Sequence, residues 1–288
     1  MDVEKYLKQV LEEESLSNDS SEINNIRETK KEIEEKIKAS FDESPTIRYA
    51  GSYKKGTMIK ANYDLDIVCY FDSEDDSAGS NLEEIYNNVK DVFTEDYSIE
   101  EKKSALRLKS KDGDDFHIDL VPGRFVDDSK TDCFLYQSEG EKNRLKTNLD
   151  VHISHIKDSG LIDTIKLIKV WKNVIGIDIK TFILELLVVK LGDKELSLEE
   201  SLKNFWKIIS NDIENISIED PANSNNDLTL LFGDIQKNKL SIAAKEALKL
   251  AEKGSWEEIF KIKSRQSNQV EVLGEAGAQS RPYFSHES

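Results

Sequence analysis

Cysteine is scarce in this chain of 288 residues: Cys69 and Cys133 cannot build a disulfide framework. Cys69 lies inside an apolar stretch and reads as a small hydrophobe. No apolar run approaches a membrane span, and Met1–Glu14 is acidic and amphipathic, unlike a signal peptide. A basic block is missing too. Lys and Arg number 40 against 57 Asp and Glu, a formal net charge of −17. Proteins that track long nucleic acids depend on Lys and Arg against the phosphates, so the composition argues against a polynucleotide partner. There is no nucleophile-elbow sequence for a Ser-His-Asp hydrolase. His152 and His155 lie near Cys133, but no paired cysteines or second histidine cluster completes a zinc set. No internal repeat occurs. The expectation is a polar, cytoplasmic globular protein without a membrane segment, with room for one large or two modest domains.

The informative stretch is YAGSYKKGTMIKANYDLDIVCYF, Tyr49 to Phe71. It reads as a strand end, a Gly-Ser turn, a short basic helix and a strand carrying Asp64 and Asp66. Alternate strand residues share a face, so these two carboxylates point together while Leu65, Ile67 and Cys69 anchor the strand. Two neighbouring anions at a buried strand lose hydration and repel each other, at a cost of several kcal/mol without compensation. A divalent cation compensates, and Mg²⁺ favours one or two carboxylates plus substrate phosphates over a full protein cage. Gly51 allows close backbone approach, and Ser52 offers a hydroxyl and an amide at a helix start. Metal carboxylates beside a phosphate cradle imply chemistry on a nucleoside triphosphate. Asp119, in FHIDLVPG, supplies a third carboxylate on a second strand, with His117 on the same face.

Around this centre the chain predicts α+β architecture. Helices are expected over 1–14 and from about Glu22, then a strand over 46–50. A helix is expected over 82–93, and strands over 105–108 and 116–121 joined by the turn KSKDGDD, the second ended by Pro122-Gly123. The acidic loop SEDDSAGSN reads as solvated. Residues 127–148 look irregular, a crossover between lobes. From Leu161 the periodicity is helical, with a nearly all-apolar helix through Phe182–Val189 at the centre of a second lobe. The expected division is 1–128, a catalytic lobe with N-terminal helices, then 129–263, a helical lobe, and 264–288, an extended tail.

Gly51-Ser52 followed after about a dozen residues by Asp64-x-Asp66, with Asp119 later, resembles the DNA polymerase β-like nucleotidyltransferase superfamily. Three further segments resemble its branch of oligoadenylate synthetases and bacterial CD-NTases. They are IKLIKVWKN (165–173), KTFILELL (180–187) and IEDPANSNNDL (218–228), where Ser224 replaces the branch's second proline. Thr147, Asn148 and His152 fit a crossover segment of the same kind. The resemblance spans roughly 48–232.

It implies a polymerase β-like core, a small mixed sheet with helices, plus a helical second lobe, with catalysis between them. Asp64, Asp66 and Asp119 would be both catalytic acids and metal ligands, holding two Mg²⁺ ions, with Mn²⁺ able to serve. Gly51, Ser52, Lys169, Thr181 and Phe182 would bind the nucleotide: Lys169 at the β,γ-phosphates, Thr181 at a phosphate, Phe182 stacked on a base. On residue chemistry alone, Lys169 also reads as a helix-surface lysine and Phe182 as core. The implied activity makes a cyclic or short linear oligonucleotide second messenger from NTPs, ATP among them, in bacterial anti-phage signalling. A monomer with an optional regulatory protein partner is expected. The alternatives are template-free extension of an RNA end, which needs a basic groove, and a non-catalytic sensor, which would have lost carboxylates.

Overall fold

The computed structural model describes residues 1–41, 45–61, 63–111, 116–139 and 142–265. Two helices come first, α1 (Val3–Glu14) and α2 (Ser21–Phe41), followed by β1 (Thr46–Tyr49), α3 (Gly51–Lys55) and β2 (Leu65–Phe71). Next are α4 (Leu82–Asp91), β3 (Tyr97–Glu101), β4 (Leu106–Ser110), β5 (His117–Phe125), β6 (Cys133–Tyr136) and β7 (Arg144–Thr147). The second half holds α5 (Leu149–Lys157), α6 (Ile162–Ile175), α7 (Thr181–Leu191), α8 (Leu198–Asp212), the hairpin β8 (Glu219–Asp220) and β9 (Asn223–Asp227), α9 (Asp234–Glu252) and α10 (Trp256–Phe260). Boundaries follow local chemistry. Asp2, Asn81 and Asn148 cap α1, α4 and α5 through side-chain oxygens, and Ser197 with Glu200 forms a capping box on α8.

The sheet runs β1-β2-β5-β4-β3, with β6 continuing beside β5 and β7 beside β6. Only β2 and β5 are parallel; the other pairs are antiparallel. This is the mixed sheet expected from the sequence. Isoleucines 23, 26, 33 and 37 of α2 and Ile85 and Val89 of α4 cover one face, meeting Leu65, Ile67, Cys69 and Leu120. The helical lobe packs around three fully buried tryptophans, with Trp171 5.7 Å from Trp206 and Trp206 6.0 Å from Trp256.

Three expectations change. Strand β5 does not stop at Pro122-Gly123 but runs on to Phe125. On its outer flank β4 pairs only residues 117–120 and β6 only 123–125, so Pro122 falls between partners where no N–H is demanded. Residues 127–148 are not irregular throughout: β6 and β7 extend the sheet, burying Cys133 and Leu135. Helix α1 packs into the helical lobe through Tyr6, Leu7 and Val10, not against the sheet. The Tyr6 hydroxyl donates to Ile262 O at 2.7 Å and Gln9 Nε2 to Lys263 O at 2.9 Å, tying both ends of the described chain together. The tail expected over 264–288 lies outside the described residues apart from 264 and 265, as does most of the turn at 112–115.

Candidate active site

The segment between β1 and β2 forms a small cradle. Ala50 N–H donates to Asp66 O at 2.9 Å, and Gly51 follows at φ +55°. A Cβ on Gly51 would run into the Asp66 carboxylate, 2.7 Å from Asp66 Cβ. Glycine here is both a conformational and a packing requirement. One short turn of helix later, Gly56 closes α3 at φ +79°, and Thr57 N–H bonds back to Ser52 O at 3.0 Å. The Gly-Ser turn is thereby held against the second carboxylate.

Parallel pairing sets Asp66 directly beside Asp119, and antiparallel pairing sets Arg107 of β4 on the far side of Asp119. Arg107 grips Asp119 in a two-pronged bond, Nε to Oδ1 at 2.8 Å and Nη2 to Oδ2 at 2.7 Å. Asp64, just before β2, pairs with His117 Nδ1 at 3.2 Å, which holds the imidazole above its ordinary pKa. Asp66 makes no ion pair among the described residues. Burial first, then the Asp119 charge, pushes its carboxyl up to about 6, while Lys55 opposes the rise. A cation suits this donor set, because it would relieve the one acid that lacks a partner. Asp64 and Asp119 are already engaged, and among the described residues no three acidic, histidine or cysteine groups form a ready metal-ligand array. A metal held here competes with Arg107 and His117 for the same oxygens.

At the junction of the lobes lies a buried polar cluster. Glu185 of α7, fully buried, pairs with Lys55 of α3 and accepts from Thr57 Oγ1 at 2.5 Å. Lys169 of α6 is 3% exposed, donates to Thr57 O at 2.7 Å and lies 3.9 Å from Glu185. Burial lowers its pKa to about 8 against the pull of Glu185. Thr181 opens α7. The half-buried Phe182 ring meets His152 at 5.0 Å, with the Lys55 ammonium 4.9 Å from its centre. His152 Nε2 bonds in turn to Asp220 Oδ1 at 2.6 Å. Asp220 also takes Asn226 Nδ2 and Ala222 N–H, both at 2.9 Å; these bonds outweigh burial and keep its carboxyl below the usual range. Asn223 Nδ2 reaches Lys146 O at 3.0 Å, so the Asp-Pro-Ala-Asn hairpin clasps α5 and β7.

The model of one family, the Second Messenger Oligonucleotide or Dinucleotide Synthetase domain, matches residues 1–159, which hold the Gly-Ser turn and all three acids. This chain belongs to that family. It is a nucleotidyltransferase of the kind that makes second-messenger oligonucleotides. Among solved structures it is similar to Escherichia coli MS115-1 CdnC in complex with HORMA-deltaN: 17% identity, 89% of this chain and 96% of that one, TM-score 0.69. It is also similar to the Bradyrhizobium diazoefficiens CD-NTase CdnG with GTP, at 12% identity over 88% and 93% of the chains, TM-score 0.71. A third is the Vibrio cholerae DncV cyclic AMP-GMP synthase with a linear intermediate, at 16% identity over 86% and 79%, TM-score 0.58. These likenesses are of fold. No curated protein matches by sequence.

Of the residues singled out in this synthetase-family chain, Gly51, Asp64, Asp66 and Asp119 come together around the N-terminal halves of the interior parallel strands β2 and β5. Ser52 is the second residue of the adjoining helix α3. Lys169, Thr181 and Phe182 stand across the lobe junction, Lys169 inside the buried cluster and not on an open helix surface. On the same helix Lys172 is half-buried; burial lowers its pKa, against the opposing pull of Asp178 and Asp64. Thr57, with Gly56, repeats the small-residue pairing of the turn, whereas Arg107, Lys55 and Glu185 are not singled out by the sequence. Their signal is weak there: an arginine in a strand, a lysine pair in a short helix, a glutamate among leucines.

Proposed function

We propose that this protein joins NTPs, ATP among them, by Mg²⁺-dependent nucleotidyl transfer into a cyclic or short linear second messenger. A ribose hydroxyl attacks the α-phosphate and pyrophosphate leaves. The observation that carries this is the sheet order β1-β2-β5, which sets the Gly51-Ser52 turn on one side of Asp66 and Asp119 on the other. The triphosphate tail and the incoming hydroxyl can then approach from opposite sides, as an in-line displacement requires. Asp64, Asp66 and Asp119 would hold Mg²⁺, two ions or Mn²⁺ in their place, which supplies charge stabilisation at the attacking and leaving oxygens. The amides and hydroxyl of Gly51 and Ser52 bind the β,γ-phosphates, and Lys169 and Lys172 offset their charge. Arg107 orients Asp119 until substrate arrives. Phe182 packs on a base and Thr181 meets a phosphate.

The setting we propose is bacterial anti-phage signalling in the cytoplasm. The CdnC structure contains HORMA-deltaN, which supports a regulatory protein partner here as well. Extension of an RNA end is the weaker reading, because a net charge of −17 disfavours tracking a long phosphate backbone. Incubating the pure protein with all four NTPs and Mg²⁺, then identifying products by mass spectrometry, tests the proposal. Short oligonucleotides are expected from the wild type and none from Asp64→Asn/Asp66→Asn. Undiminished turnover by that double variant, or nucleotide addition confined to RNA ends, refutes it.

A further inference from the structure

The buried cluster at the lobe junction has more cations than anions. Lys55 and Lys169 both converge on Glu185, and all three side chains are at least nine-tenths buried. The groups facing the Lys169 ammonium are Glu185 from α7, Lys55 from α3, Asp66 from β2 and Lys172 from its own helix. Two buried ammonium groups this close repel each other and lose hydration, and one of them sheds its proton unless an anion stands between them. Glu185 is that anion. It is fully buried, and the Thr57 hydroxyl fixes one of its oxygens. Thr57 also gives its carbonyl to Lys169 and its N–H to Ser52 O, so the cluster connects directly to the phosphate turn.

We propose that Glu185 is a positioning residue for triphosphate binding: its carboxylate gathers Lys55, Lys169 and Thr57, locking the Gly51-Ser52 turn to the helical lobe with both lysines charged. The inference rests on the reading of this cleft as the triphosphate site. Glu185 is the one carboxylate bonded to both ammoniums, with Asp66 also facing Lys169, so the positive charge a polyanion can use depends on keeping both lysines protonated. Lys55 also lies over the Phe182 ring, so the same cluster steadies the face offered to the base.

The test is the affinity for a non-hydrolysable ATP analogue with Mg²⁺, measured from pH 6 to pH 9 on the full chain alongside melting curves. Glu185→Gln keeps the volume and removes the charge. It is expected to bind roughly 10- to 100-fold more weakly than wild type at pH 8, the worth of a hydrogen bond to a charged group. The gap should narrow toward pH 6, where Lys169 regains its proton. An equal loss at every pH, or no loss, overturns the proposal. If Glu185→Gln does not fold, Lys169→Met leaves Lys55 and Glu185 as a neutral pair and carries the test. It should flatten the pH dependence of binding above pH 7; a wild-type profile overturns the inference. Because binding needs no turnover, a wild type that binds the analogue with this profile yet makes no product keeps the inference and sinks the nucleotidyl-transfer reading. A wild type that does not bind the analogue sinks both.

Discussion

Replacing Gly51 by alanine adds one methyl group at the point where the Gly51-Ser52 turn, proposed to hold phosphate, touches Asp66, proposed as the second catalytic carboxylate. The new Cβ would overlap Asp66 Oδ2 and lie 2.7 Å from Asp66 Cβ. The latter is about 1 Å short of the ~3.5–4.0 Å carbon–carbon optimum. The backbone cannot absorb the clash cheaply, because Ala50 N–H is bonded to Asp66 O and φ at Gly51 is +55°. An alanine in that left-handed region costs about 1–2 kcal/mol by itself. Either the turn or the Asp66 side chain moves by about 1 Å, and a displacement of that size at a reacting centre costs on the order of 100-fold. The expected result is a Gly51→Ala protein that folds, melts a few degrees lower and makes product about 100 times more slowly. Mass-spectrometric product counting with a thermal melt checks this. Turnover within about threefold of wild type would mean that the turn and Asp66 are not one unit, and the site as drawn would fail.

Asp66 has a folded pKa of about 6, above its unfolded value, so the folded state holds the extra proton between roughly pH 4 and 6 and loses stability as pH rises through that window. Asp66→Asn should therefore melt higher than wild type at pH 7.5 in chelator, by about 1–3 kcal/mol, with the advantage gone at pH 4. A less stable variant at pH 7.5 contradicts that sign. Phe182→Leu should weaken binding of the ATP analogue roughly 5- to 100-fold if the ring stacks on a base. A fall in stability of up to about 1.5 kcal/mol with unchanged affinity would assign the ring to packing alone. At physiological salt no nanomolar binding to duplex DNA or structured RNA is expected, and a salt-sensitive gel shift in that range would reverse the view of partners.

Much of the centre is local chemistry and was legible in the sequence. Period-two alternation placed the acids on one face of their strands, and the order of Gly-Ser, Asp-x-Asp and a later apolar-flanked Asp pointed to the core they belong to. The helical periodicity from Leu161 and the Phe182–Val189 run foretold a helical lobe, because apolar periodicity needs only a neighbour, not a particular one. Strand ends at β5 and the β6–β7 hairpin were missed: whether a proline stops a strand depends on which neighbour would need its N–H, and that is a property of the sheet. Likewise α1 could bury its stripe against either lobe. The ion pairs were beyond reach for the same reason. Arg107 meets Asp119 through cross-strand register, while Lys55 meets Glu185 across 130 residues and Thr57 meets Lys169 across 112. Sequence fixes what each side chain can bond to, but which buried charge finds which partner depends on packing that brings distant segments together, and only the folded chain decides it.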